Sequence, residues 1–291
     1  MRRILTIIFS VIILVGCYKS DIHNTSHPDM VQVTFVISYS GEYTVIFDGY
    51  EYSLSKNDPL EIPYLLEPGS YTYCIYNNTG SSAKVSTNNT SDAEITYDSD
   101  SGEIIASVEL ERDGTIFSAA SDLYFNSDTS TFVEDTDYTI VTTLYPITRD
   151  LNIALELDGD SNDQLSSVTA TLSGVASKWD CINGVPYGGS VTSRPEFEIV
   201  EDDGLYYIKS SIKLLGVDGG EQILSLEMNY LDGNPATHTI TSDLSAYLVD
   251  FNSDKTAPLE LSNRYNVPDE TAIGGVITGW SSEDGVDVDV K

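Results

Sequence analysis

From residue 30 onward the chain consists of short stretches in which apolar and polar residues alternate. VQVTFVI, EYTVIF, YTYCIY, EIIASVEL, YTIVTTLY, LNIALEL, VTATLSG, YYIKSSIKLLG, ILSLEMNY and THTI are rich in β-branched and aromatic residues and are divided by turn residues. That spacing predicts strands. In ILSLEMNY, Leu224, Leu226, Met228 and Tyr230 fall on one side of an extended chain, and Ser225, Glu227 and Asn229 on the other. This is the two-residue period of a sheet with one buried face. The C-terminus repeats it: Val286, Val288 and Val290 alternate with Asp287 and Asp289, predicting a last strand with one wet face. Asp-Gly pairs begin at Asp48, Asp113, Asp158, Asp203, Asp218, Asp232 and Asp284. Several stand where a type I′ turn would join neighbouring strands, because Asp and Gly tolerate positive φ. Long amphipathic helices are missing, although DLSAYLVDF, residues 243–251, has the spacing of one short helix. The fold class is therefore all-β.

A proline in Tyr145-Pro146-Ile147-Thr148-Arg149-Asp150 interrupts ladder hydrogen bonding between two strand-like stretches. Residues 30–145 and 146–291 each hold enough strands for a β-sandwich, so two sandwiches in tandem are the economical architecture. A single larger sandwich or barrel is the alternative.

The first 16 residues follow a different pattern. Arg2 and Arg3 precede 13 predominantly apolar residues, Ile4 to Gly16. As a helix these would span about 20 Å, short of a hydrocarbon core of roughly 30 Å. The arrangement predicts a signal peptide rather than a membrane helix. Its end, Leu14-Val15-Gly16-Cys17, resembles the lipobox of bacterial lipoproteins. That likeness implies cleavage after residue 16 and acylation of Cys17, with outer-membrane lipid as its partner. Residues 17–29, polar and without periodicity after the cysteine, then read as a tether.

Charge narrows the function. The formal balance is −32, and loss of residues 1–16 removes two basic residues and no acid, giving −34. Such a chain repels phosphate backbones, which excludes nucleic acid as a partner, and it leaves acyl chains rather than a basic patch as the membrane contact. Calcium could relieve the self-repulsion, but Asp158-Gly159-Asp160-Ser161-Asn162-Asp163 lacks the glycine and the closing glutamate of an EF-hand. No metal site or cofactor is predicted. Cys74 and Cys181 lie far apart in sequence and read as free, buried residues.

Catalytic options are few. Of three histidines only His238 lies in a folded domain, on a strand between Thr237 and Thr239, where a surface or turn-proximal position is expected. No GxSxG elbow, HExxH helix, P-loop or dinucleotide fingerprint occurs. The expectation is a protein that is not an enzyme. Trp179, in the glycine-rich SKWDCINGVPYGGS, and Trp280 could form a stacking platform for carbohydrate; cross-strand packing is the competing duty for them and for the 19 tyrosines. The terminal strand Val286, Asp287, Val288, Asp289, Val290 either blunts an edge with its acids or pairs with another subunit by β-augmentation.

Four stretches resemble the fimbrillin-related lipoproteins of Bacteroidetes, in particular their FimB/Mfa2-like fimbrial anchor and accessory group. Leu66-Glu67-Pro68-Gly69-Ser70-Tyr71 is similar to the family's turn-then-strand element, and Asp122-Leu123-Tyr124-Phe125 to the entry into the last strands of its first domain. PITRDLNIALEL, Pro146 to Leu157, resembles the crossing into the second domain, and Leu172-Ser173-Gly174-Val175-Ala176 an element of that domain. The resemblance implies two transthyretin-like sandwiches, a lipid on Cys17 and a structural role beside fimbrial subunits or other surface proteins. Shaft subunits of this group are matured at an arginine near the first strand, whereas no Arg or Lys occurs here between Lys19 and Lys56. That difference favours an anchor or accessory subunit, exposed on the cell surface. A surface lipoprotein that binds glycans through aromatic platforms is the alternative.

Overall fold

In the computed structural model, residues 26–77, 122–158, 165–231, 237–266, 277 and 279–282 are described, together with the strand pairing of 90–91, 93–98, 103–108, 115–116, 118–119 and 274–276. Strands are numbered in chain order. The first sandwich opposes two sheets. One is β12 (Thr136–Thr142), β1 (Val31–Ile37) and β4 (Leu60–Glu61), with β1 parallel to β12 and antiparallel to β4. The other runs β13 (Tyr145–Pro146), β11 (Tyr124–Phe132), β5 (Gly69–Asn77), β2 (Glu42–Phe47), β3 (Tyr50–Ser55), antiparallel throughout. Alternation builds the core: Val31, Val33, Phe35 and Ile37 of β1 face Val45, Phe47, Tyr73 and Ile75. Phe35 meets Phe47 and Tyr73 edge-on, with ring centroids 5.3 and 5.2 Å away, a favoured geometry for aromatic quadrupoles.

The second sandwich has the sheet β17 (Glu198–Asp202), β18 (Leu205–Leu214), β14 (Arg149–Asp158), β21 (Leu259–Asn266), β23 (Ser281–Ser282). Opposite it runs β22 (Gly274–Val276), β20 (Thr237–Asp243), β19 (Ile223–Tyr230), β15 (Leu165–Asp180), β16 (Val185–Ser193), β9 (Thr115–Ile116). Leu151, Ile153, Leu155 and Leu157 fill its core from one side, Leu172, Leu224, Leu226 and Met228 from the other. The predicted all-β class and paired sandwiches are what the chain adopts.

The pairing departs from a division at residue 145 at β8 (Glu103–Val108) and at β9. β8, hairpin partner of β7 (Ala93–Asp98), pairs with the end of β15, matching Ala106 to Trp179. β9 pairs in parallel with β16, and β6 (Thr90–Ser91) with β10 (Ser118–Ala119). Part of the first half thus extends a sheet of the second sandwich.

Turn chemistry follows the predicted rule at two of the three Asp-Gly pairs among the described residues; at Asp218-Gly219 only the glycine has positive φ. Asp48 and Gly49, at φ 51° and 77°, connect the paired Phe47 and Tyr50. Asp203 and Gly204, at 50° and 79°, connect Asp202 and Leu205. Both are two-residue hairpins with positive φ at both positions, the type I′ requirement. DLSAYLVDF differs from expectation: 243–251 forms no helix but the end of β20 followed by successive turns. Leu244, Leu248 and Phe251 are still fully buried, so turns suffice to aim the apolar residues inward.

Candidate functional site: the junction between the sandwiches

A strand with one buried face alternates, and a strand covered on both faces does not. Val45-Ile46-Phe47 of β2 and Tyr73-Cys74-Ile75-Tyr76 of β5 are buried at every position. Val45, Phe47, Tyr73 and Ile75 belong to the first core, whereas Ile46, Cys74 and Tyr76, with Leu123 and Phe125, belong to the cluster of the second sandwich. The middle of this sheet is therefore a wall shared by two cores.

Polar groups reinforce it. Lys213 of β18 holds Asp150 Oδ1 at 2.8 Å, on the neighbouring β14, and also pairs with Asp122, which precedes β11 of the other sandwich. Burial lowers the Lys213 pKa, but the two carboxylates outweigh it and the net shift is upward. Leu123 donates its N–H to Thr148 Oγ1 at 3.1 Å and accepts from Ile147 N at 2.8 Å. Arg149 is buried, and its guanidinium is held by carbonyl oxygens, Ala257 at 2.8 Å and Phe251 at 3.5 Å, with the Phe251 ring centroid 5.3 Å away.

Lys255 is the least ordinary group. Its ammonium donates to Leu215 O at 2.6 Å and lies 4.4 Å from the Trp179 ring centroid and 5.5 Å from that of Phe251. Burial, and after it the positive Arg149, lower its pKa to about 7; the ring face of Trp179 favours the charged form and works against that shift. Two indentations of about 460 and 370 Å³ flank it, both lined by Pro146, Lys255 and Thr256.

The sequence-predicted residues fall as follows. Trp179 is 5% exposed, fixed between Pro186 of β16 and Ala106 of β8. Trp280 is 3% exposed, and its Nε1 donates to Ser242 Oγ at 2.7 Å. Neither offers an open face to a sugar ring, which corrects the stacking-platform reading for both. Both are core residues of the second sandwich. Cys74 and Cys181 are buried thiols not joined in a disulfide, and burial pushes the Cys74 thiol up. His238 is buried rather than superficial, because β20 turns His238, Ile240 and Ser242 inward; its ring meets Tyr230 edge-on at 5.2 Å. Among the described residues no three His, Cys, Asp or Glu side chains gather as metal ligands would. Cys17, residues 159–163 and the terminal Val286, Asp287, Val288, Asp289 and Val290 lie outside the described residues. Sequence reasoning missed Lys213 and Lys255. A signal existed in the scarcity of cations, 14 against 46 acids, which makes each buried one notable.

A sequence profile of the fimbrillin-A associated anchor proteins Mfa1 and Mfa2 matches residues 33–284. The chain belongs to this family. Among solved structures, the fimbrial anchor protein Mfa2 of Porphyromonas gingivalis superposes with a TM-score of 0.53 at 10% identity, covering 87% of this chain and 97% of that one. A candidate adhesin of Bacteroides ovatus gives 0.53 at 17% identity, covering 89% and 96%. A candidate polysaccharide-binding protein of Bacteroides thetaiotaomicron gives 0.52 at 9%, covering 87% and 95%. At such identities the likeness concerns the fold. No curated protein sequence matches the chain. Membership makes this a fimbrial or adhesion-related protein of the cell envelope, of a family that is non-enzymatic in kind.

Proposed function

We propose that this protein is a lipid-anchored anchor or accessory subunit of a surface fimbria. Acyl chains on Cys17 hold it in the outer membrane, residues 17–29 act as tether as far as His27, which is fixed to Asp137 of the first sandwich, and the two sandwiches form a stiff spacer that presents exposed edges to a fimbrial partner. The observation that supports this most is the shared wall. Domains joined by small polar interfaces move relative to one another by default, and a large apolar interface suppresses that motion. A junction in which Ile46, Cys74, Tyr76 and Phe125 complete the neighbouring core, clamped by Lys213 between Asp122 and Asp150, suits a part that transmits load. The terminal strand Val286–Val290 is the proposed contact, adding its main chain to a partner's sheet.

Fractionation of cells making Cys17→Ser tests the anchor. The variant is expected to leave the membrane fraction and to lose incorporated fatty acid. A wild-type chain free of fatty acid, or a variant that stays in the membrane, overturns the lipid reading. Deletion of residues 284–291 tests the contact, with loss of co-purifying fimbrial subunits expected and unchanged co-purification refuting it.

A further inference from the structure

A concavity of about 910 Å³ opens on the flank of the second sandwich and not at the junction. It forms where both sheets run short of an edge strand. β16 pairs with β15 only between Leu172 and Asp180, so Val168–Ala170 lie beyond its end. β17 pairs with β18 only as far as Lys209, so Ser210 and Ser211 lie beyond that one. Arg194–Phe197, crossing from one sheet to the other, borders the gap.

Two polar atoms in its wall are buried without a hydrogen-bond partner in the protein: Ser210 Oγ, in a residue only 6% exposed, and Asn152 Oδ1. Ser210 stands in the inward row between Ile208 and Ile212, where an apolar residue would avoid the unpaired hydroxyl. Asn152 donates its amide to Glu260 Oε1 at 2.6 Å, which leaves the carbonyl oxygen as the unused end. Ser210 lies beside Ile153 on one face of the strand pair, and Asn152 beside Ser211 on the other. The two orphans therefore mark separate parts of the groove.

We infer that this groove binds a neutral oligosaccharide of more than one ring. Carboxylates of Glu198 and Glu260 line it, and with Asn152 Oδ1 they call for donors that bring no negative charge into a chain of net −32. Vicinal hydroxyls meet that need, each donating to a carboxylate while accepting from Ser210, Ser211 or Lys209. A cation is disfavoured by Lys209 and Arg194 in the same wall. Phe197, partly buried against the core, supplies an apolar surface for a ring face. A peptide strand could pair with the main chain of Val168–Ala170 but brings no hydroxyl pairs to the carboxylates. The volume falls within the roughly 300–1,000 Å³ of small-molecule sites.

Isothermal titration of the full chain, in a detergent without a sugar headgroup, tests this with maltotriose, cellotriose, mannotriose and chitotriose, and with an uncharged Val-Thr heptapeptide as the strand control. At least one trisaccharide is expected to saturate below about 10 mM. Ser210→Ala should weaken it about fivefold while leaving the melting temperature unchanged or higher, since the hydroxyl is unpaired in the free protein. Glu260→Gln should weaken it as well. Saturation by none of the four sugars, equal binding by Ser210→Ala, or saturation by the peptide alone overturns the inference.

Discussion

Replacing Trp179 by alanine separates a core residue from a surface platform by magnitude. The side chain is 5% exposed, so nearly all of its roughly 150–250 Å² is withdrawn from water, worth about 4–6 kcal/mol at ~25 cal/mol per Å². That area figure is an upper bound; large aromatic-to-alanine changes in cores cost about 3–5 kcal/mol. Loss of the ring under the Lys255 ammonium, 4.4 Å away, contributes about 1 kcal/mol, partly recovered as water enters and solvates the amine. The expected destabilisation is about 4 kcal/mol. With a slope of roughly 3 kcal/mol per M for a chain of this size, the urea midpoint should fall by about 1.3 M. Circular dichroism follows the strands, and Trp280, then the remaining tryptophan of the two, reports on the second sandwich. Because the cores share a wall, both signals should fall together. A loss below about 1 kcal/mol, near the range of surface substitutions, would refute the core assignment.

Gly49→Ala and Gly174→Ala share positive φ, 77° and 73°, but only Gly174 is crowded, with an added Cβ 2.7 Å from Glu221 O. We expect about 1 kcal/mol at Gly49 and about 3 at Gly174; equal urea midpoints for the two variants would contradict this. Lys213→Met should cost about 1 kcal/mol, and a double-mutant cycle with Asp122→Asn should return a coupling of about 0.5 kcal/mol or more. Zero coupling would remove Lys213 as a clamp between sandwiches. His27 holds Asp137 Oδ1 at 2.8 Å and Met30 O at 3.2 Å; burial lowers its pKa, but these contacts outweigh it and raise the value above 6.5. The stabilisation is thus complete below about pH 6.5 and lost as pH rises through the folded value. His27→Gln should flatten that part of the melting-temperature profile, and an unchanged profile would dismiss the pair.

Local signals were the ones legible in the sequence. Alternation in β14 and β19 carries the all-β class, and Asp48-Gly49 and Asp203-Gly204 place two hairpins, because side-chain period and turn chemistry are properties of neighbours in the chain. Partner choice is not local. Nothing in EIIASVEL or in Thr115-Ile116 says that these strands join β15 and β16 rather than the first sandwich. The runs VIF and YCIY did carry the shared wall, since two-sided burial breaks alternation, yet the same runs are compatible with ordinary core strands until the second sandwich is seen against them. Trp179 reads as a displayed residue because glycines follow it, and only the flanking β8 and β16 show that it is enclosed. Lys255 stands next to Asp254 in sequence and resembles half of an exposed ion pair, whereas the fold turns it toward Leu215 O and two aromatic rings.

The loan of β8 and β9 to the far sandwich bears on biosynthesis. During translation Glu103–Val108 and Thr115–Ile116 leave the ribosome well before the segments they pair with, Lys178–Asp180 and Thr192–Ser193. The nascent chain must therefore carry β9 and the far edge of β8, whose other edge has β7, without these partners while some seventy residues more are made, a gap read from the same register. A gene cut at codon 145 would strand them permanently, giving one half an orphan hairpin and the other a sheet short of its neighbours.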